Sequence, residues 1–251
     1  PDASNPFRPT RIRAIHEDRA GRLWVGTETG LYMRAAATDP EVPWRRFAPD
    51  NSRLPHEFVR TIYEGPGGAL WFGTNGGGMA RYQHGRFAAF THDDGLPSNL
   101  MRDIHRDETG AFWVGTEDYG LVRIEWAASP DTTLRAASLA HISMQDGLFD
   151  NVVHRIIPDA QGRFWMSSNR GLFWVRRAEL EAVARGAAAS VRSVPYTTRH
   201  GLRNREANGG MQPAGIRARD GRVWFLTHAR AAVIHHRPDP LLVAPPPLVV
   251  E

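Results

Sequence analysis

Residues 101–116 read Met101-Arg-Asp-Ile104-His-Arg-Asp107-Glu-Thr-Gly110-Ala-Phe-Trp113-Val-Gly-Thr116. A short alternating strand runs into an Asp-x-x-Gly turn, and a second strand carries Trp, Gly and Thr. The second strand recurs four more times, as Gly21-Arg-Leu-Trp24-Val-Gly-Thr27, Gly68-Ala-Leu-Trp71-Phe-Gly-Thr74, Gly162-Arg-Phe-Trp165-Met-Ser-Ser168 and Gly221-Arg-Val-Trp224-Phe-Leu-Thr227. The tryptophans lie 47, 42, 52 and 59 residues apart, and five of the eight in the chain hold this one position, so the pattern is a repeat and not chance. A strand-like run ending in an acidic turn precedes each one, at Ile12 to Asp18, Val59 to Glu64, Met101 to Asp107, Val153 to Asp159 and Ile216 to Asp220. A third strand opens at Gly30-Leu31, Gly78-Met79, Gly120-Leu121 and Gly171-Leu172, and a further apolar run follows in most repeats.

Four short strands and tight turns in about 45 residues describe a β-propeller blade. The expected fold is therefore all-β, a β-propeller of four-stranded blades with five repeats present. The Asp accepts backbone N–H groups of a hairpin in which Gly supplies positive φ. Trp fills the space between neighbouring sheets, and the Gly after it admits a close neighbour. The fifth repeat lacks an outer strand. Ala178 to Arg185, followed by Gly186, predicts a short surface helix inside the fourth blade.

Composition narrows the function. The 251 residues are 41% hydrophobic and 23% charged, an ordinary globular balance. With no cysteine, thiolate metal sites, disulfides and cysteine nucleophiles are excluded. All 31 basic residues are Arg, which lifts the pI to 10.1 on a net charge of only +4. They are scattered along the chain, not gathered in a stripe, so no nucleic-acid partner is expected. No cofactor motif, Gly-x-Ser-x-Gly or His-Glu-x-x-His is present, and the 11 histidines are dispersed, so neither cofactor nor metal is expected.

The Val-Arg-x-Ile…Asp…Gly-x-Leu-Trp-Val-Gly-Thr…Gly-Leu pattern resembles the two-component regulator propeller repeat. Gly201 to Ala214, followed by Asp220-Gly-Arg-Val-Trp224, resembles the closing repeat of such propellers, and Pro245 to Glu251 the entry into their triple-tyrosine β-sandwich. The resemblance implies the periplasmic ligand-sensing region of a bacterial inner-membrane receptor that works as a homodimer. A β-sandwich, a transmembrane helix and a histidine kinase or diguanylate cyclase output follow in that family. None of these is in the chain, so the segment itself is expected to be no enzyme and to meet the membrane only through the missing helix. Family propellers have about seven blades, so the five are expected to be part of a seven-bladed ring trimmed at its N-terminus. The expected organisation is a truncated lead-in over 1–10, the propeller over 11–240 and a linker into the β-sandwich over 241–251.

In a propeller, the loops between blades and those between second and third strands share one face. That face is expected to collect Asn75, Glu117, Asp118, Tyr119, Asn169, Arg170 and His228 from the second-to-third turns, with Glu28 and Arg230. The inter-blade loops add Arg205, Glu206, Asn208 and Gln212, with His56, Asn99 and Asn151. Amides, carboxylates and guanidinium groups on rigidly held loops suit a small polar ligand or an oligosaccharide. Arg13, Arg60, Arg102 and His154, one near the start of each inner strand, are expected either to ring the shaft mouth or to pair between blades with Asp103, Glu64 and Asp107. Two other readings are a propeller enzyme of glycoside hydrolase or lyase type, using two of Glu28, Glu117, Asp118 and Glu206, and a protein-interaction propeller.

Overall fold

The structure is a computed structural model that describes residues 7, 10–128, 133–200, 202, 207, 209–227 and 231–234. The strands among them form five antiparallel sheets, each a simple meander. Blade 1 is β1 (Ile12–Glu17), β2 (Leu23–Thr27), β3 (Leu31–Arg34) and β4 (Arg45–Phe47). Blade 2 is β5 (Val59–Glu64), β6 (Leu70–Thr74), β7 (Met79–Gln83) and β8 (Arg86–Phe90). Blade 3 is β9 (Met101–Arg106), β10 (Phe112–Thr116), β11 (Leu121–Trp126) and β12 (Ala136–Ile142). Blade 4 is β13 (Arg155–Pro158), β14 (Arg163–Ser168), β15 (Gly171–Arg176) and β16 (Val194–Tyr196). Blade 5 has three strands among the described residues, β17 (Gly215–Arg217), β18 (Val223–Leu226) and β19 (Ala231–Ile234). The first strands of successive blades, β1, β5, β9, β13 and β17, contact one another, which makes them the inner wall of a β-propeller. α1 (Arg177–Ala184) sits between β15 and β16, one residue ahead of its expected start, and buries Leu180. No helix among the described residues is long and apolar enough to cross a membrane.

The core lies in the seams between blades. Trp24 is fully buried, with ring centroids 5.6 Å from Phe72 and 5.1 Å from Tyr82 of the next blade. Trp71 meets Phe112 at 4.6 Å and stacks on Trp126 at 4.9 Å, and Trp113 meets Phe164 edge-on at 5.4 Å. The indole N–H of the repeated tryptophan donates to an Asp Oδ2 in blades 1, 3 and 4, Trp24 to Asp18 at 2.7 Å, Trp113 to Asp107 at 2.8 Å and Trp165 to Asp159 at 2.9 Å. The other oxygen of each Asp accepts backbone N–H groups of its turn. Two of the acidic turns read from sequence differ. Gly65 holds the Asp position in blade 2 and Ala218 in blade 5, as the matching turn bonds from Gly65 N to Ala69 O and from Ala218 N to Arg222 O show. Glu64 instead serves Arg19 and His16, and Asp220 pairs with Arg222. The Gly after Trp is a matter of space, since a Cβ on Gly115 would stand 2.4 Å from Val153 O of the next blade.

Burial follows blade order. The Ile three residues before the Asp position faces the preceding blade and is buried in blades 2, 3 and 4, as at Ile62 (3% exposed) and Ile104 (4%). Its equivalent in blade 1, Ile15, is 59% exposed, although Phe7 covers Tyr32 and Trp44 further out on the same blade. At the other end Leu226 takes the position of the close-packed glycines, and it is 44% exposed. The link between blades 5 and 1 runs through the segment 209–214, where Gln212 N donates to Arg13 O at 2.8 Å and Arg13 Nη1 to Gly210 O at 2.8 Å.

Truncation of a seam isoleucine removes buried methylenes and leaves a cavity. Ile62→Ala or Ile104→Ala is therefore expected to lower unfolding free energy by about 2–4 kcal/mol, and Ile15→Ala by under ~1 kcal/mol. Urea denaturation of the three variants checks this.

Candidate functional site

The strand pairing that begins blades 1, 2 and 3 contains a β-bulge. Ile12 opposes Thr27 and Ala14 opposes Gly26, so Arg13 is the extra residue. Arg60 and Arg102 are the extra residues in blades 2 and 3 by the same register shift. A bulge re-aims its side chain out of the alternation of the strand. Here it turns each one toward the β2–β3 type of turn in its own blade, and the partner always lies fifteen residues on. Arg13 Nε donates to Glu28 Oε1 at 3.2 Å, Arg60 Nε to Asn75 Oδ1 at 3.2 Å, Arg102 Nε to Glu117 Oε2, and His154 Nε2 lies 2.7 Å from Asn169 Oδ1. The turns that carry these partners are closed by a hydroxyl, as where Thr74 Oγ1 donates to Gly78 O at 2.9 Å.

The basic residues therefore pair within blades, not between them. Asp103, expected as their inter-blade partner, instead accepts from Arg155 Nη1 at 2.8 Å and Ile156 N at 2.7 Å. Glu64 and Asp107 are engaged in their own contacts. The pairing leaves a charge excess. Three guanidinium groups meet two carboxylates, and Arg60 is the one whose partner is a neutral amide. Burial and the neighbouring Arg102 and Arg13 push its pKa down to about 10, against the pull of Glu117 and Glu28. Arg60 and Arg13 also lie over the ring of Phe58, at 4.7 Å and 5.4 Å.

Inter-blade loops and second-to-third turns meet on this face, as expected. Asn75 N donates to Phe58 O at 2.9 Å, Glu117 N to Leu100 O at 3.0 Å and Gly120 N to Asn151 O at 2.7 Å. Of the residues read from sequence, Asn75, Glu117 and Asn169 come together through their basic partners. Asp118 accepts from Ser98 Oγ at 2.6 Å, Tyr119 is exposed with its ring edge toward His141, and Arg170 donates to Phe149 O at 3.1 Å. Gln212 stands beside Arg60, Arg102 and His154. Its side-chain amide accepts from Ile62 N at 2.8 Å and donates to Ile62 O at 2.9 Å, closing the free inner edge of β5. Gly209 packs against the His154 ring, and the cavity left among Arg60, Arg102, His154 and Gln212 is about 10 Å³, room for one water at most. Arg205, Glu206, Asn208, His228 and Arg230 lie outside the described residues, as do most of the 1–10 lead-in and the whole 241–251 linker.

Sequence reading singled out the basic residues but not their pairing. The signal was present as a constant fifteen-residue interval between the second residue of the inner strand and the residue after the Thr. Phe58 and the closing role of Gln212 left no such trace.

Among known proteins, the two-component regulator propeller family model matches residues 6–29, 53–76, 95–118 and 147–170, the first four blades. No curated protein matches the chain. Among solved structures it is similar to the extracellular domain of a putative hybrid two-component system from B. thetaiotaomicron, at 22% identity and a TM-score of 0.68, over 87% of this chain and 27% of that one. A putative one-component system of the same organism gives 19% identity and a TM-score of 0.67, over 92% of this chain and 32% of that extracellular domain. The chain thus spans about a third or less of the length of these domains. A catalytically inactive virginiamycin B lyase from Staphylococcus aureus, bound to quinupristin, shares the fold at 11% identity and a TM-score of 0.60, over 94% of this chain and 73% of the lyase.

Burial holds His154 and His105 below the usual imidazole value of 6.5, although Asn169 and Asp103 respectively pull the other way. Below pH 6.5 the unfolded chain therefore binds protons that the folded chain does not, and stability falls as pH falls. Urea midpoints measured from pH 7.5 to pH 5 should drop, and a His105→Gln, His154→Gln double variant should flatten that slope.

Proposed function

We propose that this chain, with two-component regulator propeller repeats in four of its five blades, is a ligand-sensing module in the periplasmic region of a bacterial transmembrane receptor. Its ligand is a small polar molecule, a sugar acid or organic acid in preference to a neutral sugar, taken at the mouth of the shaft. The observation that carries the reading is Arg60. Among the described residues it is the one of the three inner-strand arginines whose side-chain partner is a neutral amide, so a carboxylate from a ligand would complete the pairing that Glu28 and Glu117 supply to Arg13 and Arg102. Similarity to extracellular domains of sensor systems supports the sensing role.

A hydrolase or lyase reading finds less support. Acid–base cleavage of a glycoside needs two carboxyl groups free to face one bond. Glu28 and Glu117 are each held by an arginine and Asp118 by Ser98, and among the described residues no three His, Asp or Glu side chains gather as metal ligands. Signalling in this reading passes to a second subunit, and a ligand acts only if it prefers one arrangement of the pair.

A thermal-shift series of sugar acids, dicarboxylates and neutral sugars tests the proposal. A ligand at a hundred times its Kd stabilises the folded state by ~2.7 kcal/mol, which reads as a rise in Tm. Loss of one charged hydrogen bond is worth about 1.5–3 kcal/mol, so Arg60→Gln should weaken the acid ligand roughly ten- to a hundredfold. Acid binding that is unchanged in Arg60→Gln, or consumption of a compound by the purified chain, would contradict the reading.

A further inference from the structure

Blades splay apart toward the rim of a propeller, so each seam opens into a wedge that something must fill. Between blades 3 and 4 the wedge is filled by α1, whose Leu180 joins the seam cluster with Val183 and Ala184 against Ile142 and Val191. Between blades 2 and 3 it is filled by Trp126, stacked on Trp71 and set edge-on to Phe90 at 5.0 Å, with Leu134 beside them. Between blades 1 and 2 the packing stops at Phe47 and Phe87, whose rings touch at 5.2 Å. Beyond them lies an open cleft of about 540 Å³. That is within the roughly 300–1,000 Å³ of small-molecule sites.

The lining of this cleft is unlike the rest of the surface. Arg45, Arg53 and Arg86 enter it, and no carboxylate lines it. Arg45 lies over the Phe47 ring at 4.7 Å, and among the described residues none of the three makes an ion pair, unlike the neighbouring Arg46, which is neutralised by Asp50 at 3.3 Å and Glu57 at 3.8 Å. Asn51 and Ser52 are engaged by the backbone of residues 46 and 48, which leaves the guanidinium groups as the reactive part of the lining. A concavity of one charge sign with apolar walls focuses its field and concentrates counter-ions. Guanidinium forks match the oxygen pairs of carboxylate and sulfate.

We propose that the rim cleft between β4 and β8 is a binding site for an oligoanion, a compact molecule with two or three carboxylate or sulfate groups contacted by Arg45, Arg53 and Arg86. The site is formed by the outermost strands of two blades, whereas Arg60 stands at the innermost, so the two binding proposals stand or fall separately. The site gives the module a second, charge-selective contact, fitted to acidic saccharides or polycarboxylates.

Isothermal titration of the whole chain tests it, with citrate and trigalacturonate as carboxylate probes, a sulfated disaccharide as the sulfate probe and maltotriose as the neutral control. At least one anionic probe should bind while maltotriose does not. Which of them binds more tightly assigns the carboxylate or the sulfate source. Affinity should fall several-fold or more on going from about 50 to about 300 mM salt, as screening requires. Titrated in an Arg60→Gln background, which removes the acid contact proposed at the mouth, Arg53→Gln and Arg86→Gln should each weaken it about tenfold, and the triple Arg45→Gln, Arg53→Gln, Arg86→Gln change should abolish it. The single Arg53→Gln change breaks no hydrogen bond or ion pair among the described residues, so its result does not depend on folding of the triple variant. Absence of binding by every anionic probe, equal binding of maltotriose, or unchanged affinity in the arginine variants would overturn the proposal.

Discussion

A tryptophan wedged between two sheets must hide a large ring and still satisfy one N–H group. The Asp at the head of the turn solves this in blades 1, 3 and 4, where one carboxylate oxygen takes the indole and the other the turn backbone. Burial alone would raise the carboxyl pKa. At Asp18 the Arg22 backbone and Trp24 indole more than offset it, and at Asp107 the Thr109 hydroxyl and Trp113 indole do the same, so both stay below the usual carboxylate range. One charged group thereby ties the turn, the ring and the seam together, and the Gly after the Trp sets how near the next inner strand comes.

The same spacing determines the functional face. A basic residue at the start of the inner strand bonds the second-to-third turn fifteen residues on, and in blades 1, 2 and 3 a bulge at a constant place sends it there. Four blades repeat the device with different partners, Glu, Asn, Glu and Asn. Scaffold and specificity are thus separable, since exchange of one turn residue changes the charge at the mouth without disturbing a seam. The segment 209–214 adds rigidity by lacing the open inner edges of β1 and β5, the kind of free edge that otherwise invites foreign strands.

Most of the architecture was legible because it is periodic. The Trp-x-Gly-Thr strands, the Gly-Leu openings of the third strands and the helix near residue 180 all follow from local pattern. The Asp position failed in blades 2 and 5 for a physical reason. Glu64 and Asp220 are acidic and close to the turn, but register is counted from the Trp, which points to Gly65 and Ala218. Gln212 was read as a ligand contact from its place in a long polar insert, and its bonds within the fold were not foreseen. Its partner is the backbone of Ile62, 150 residues away, and sequence carries no mark of that. The rim cleft was equally hidden, since it arises from Arg45, Arg53 and Arg86, on two blades, at a seam that neither a helix nor a Trp covers.

Hydrogen exchange of the tryptophan indole N–H groups, resolved by NMR, tests the seam account most directly. Trp24, Trp113 and Trp165, each buried and bonded to an Asp, should exchange slowly and near the rate of global opening. Trp224, half-exposed and with Ala218 in place of an Asp, should exchange orders of magnitude faster. Equal rates for all four, or protection of Trp224 above the others, would contradict the claim that Asp-bound tryptophans lock the blades.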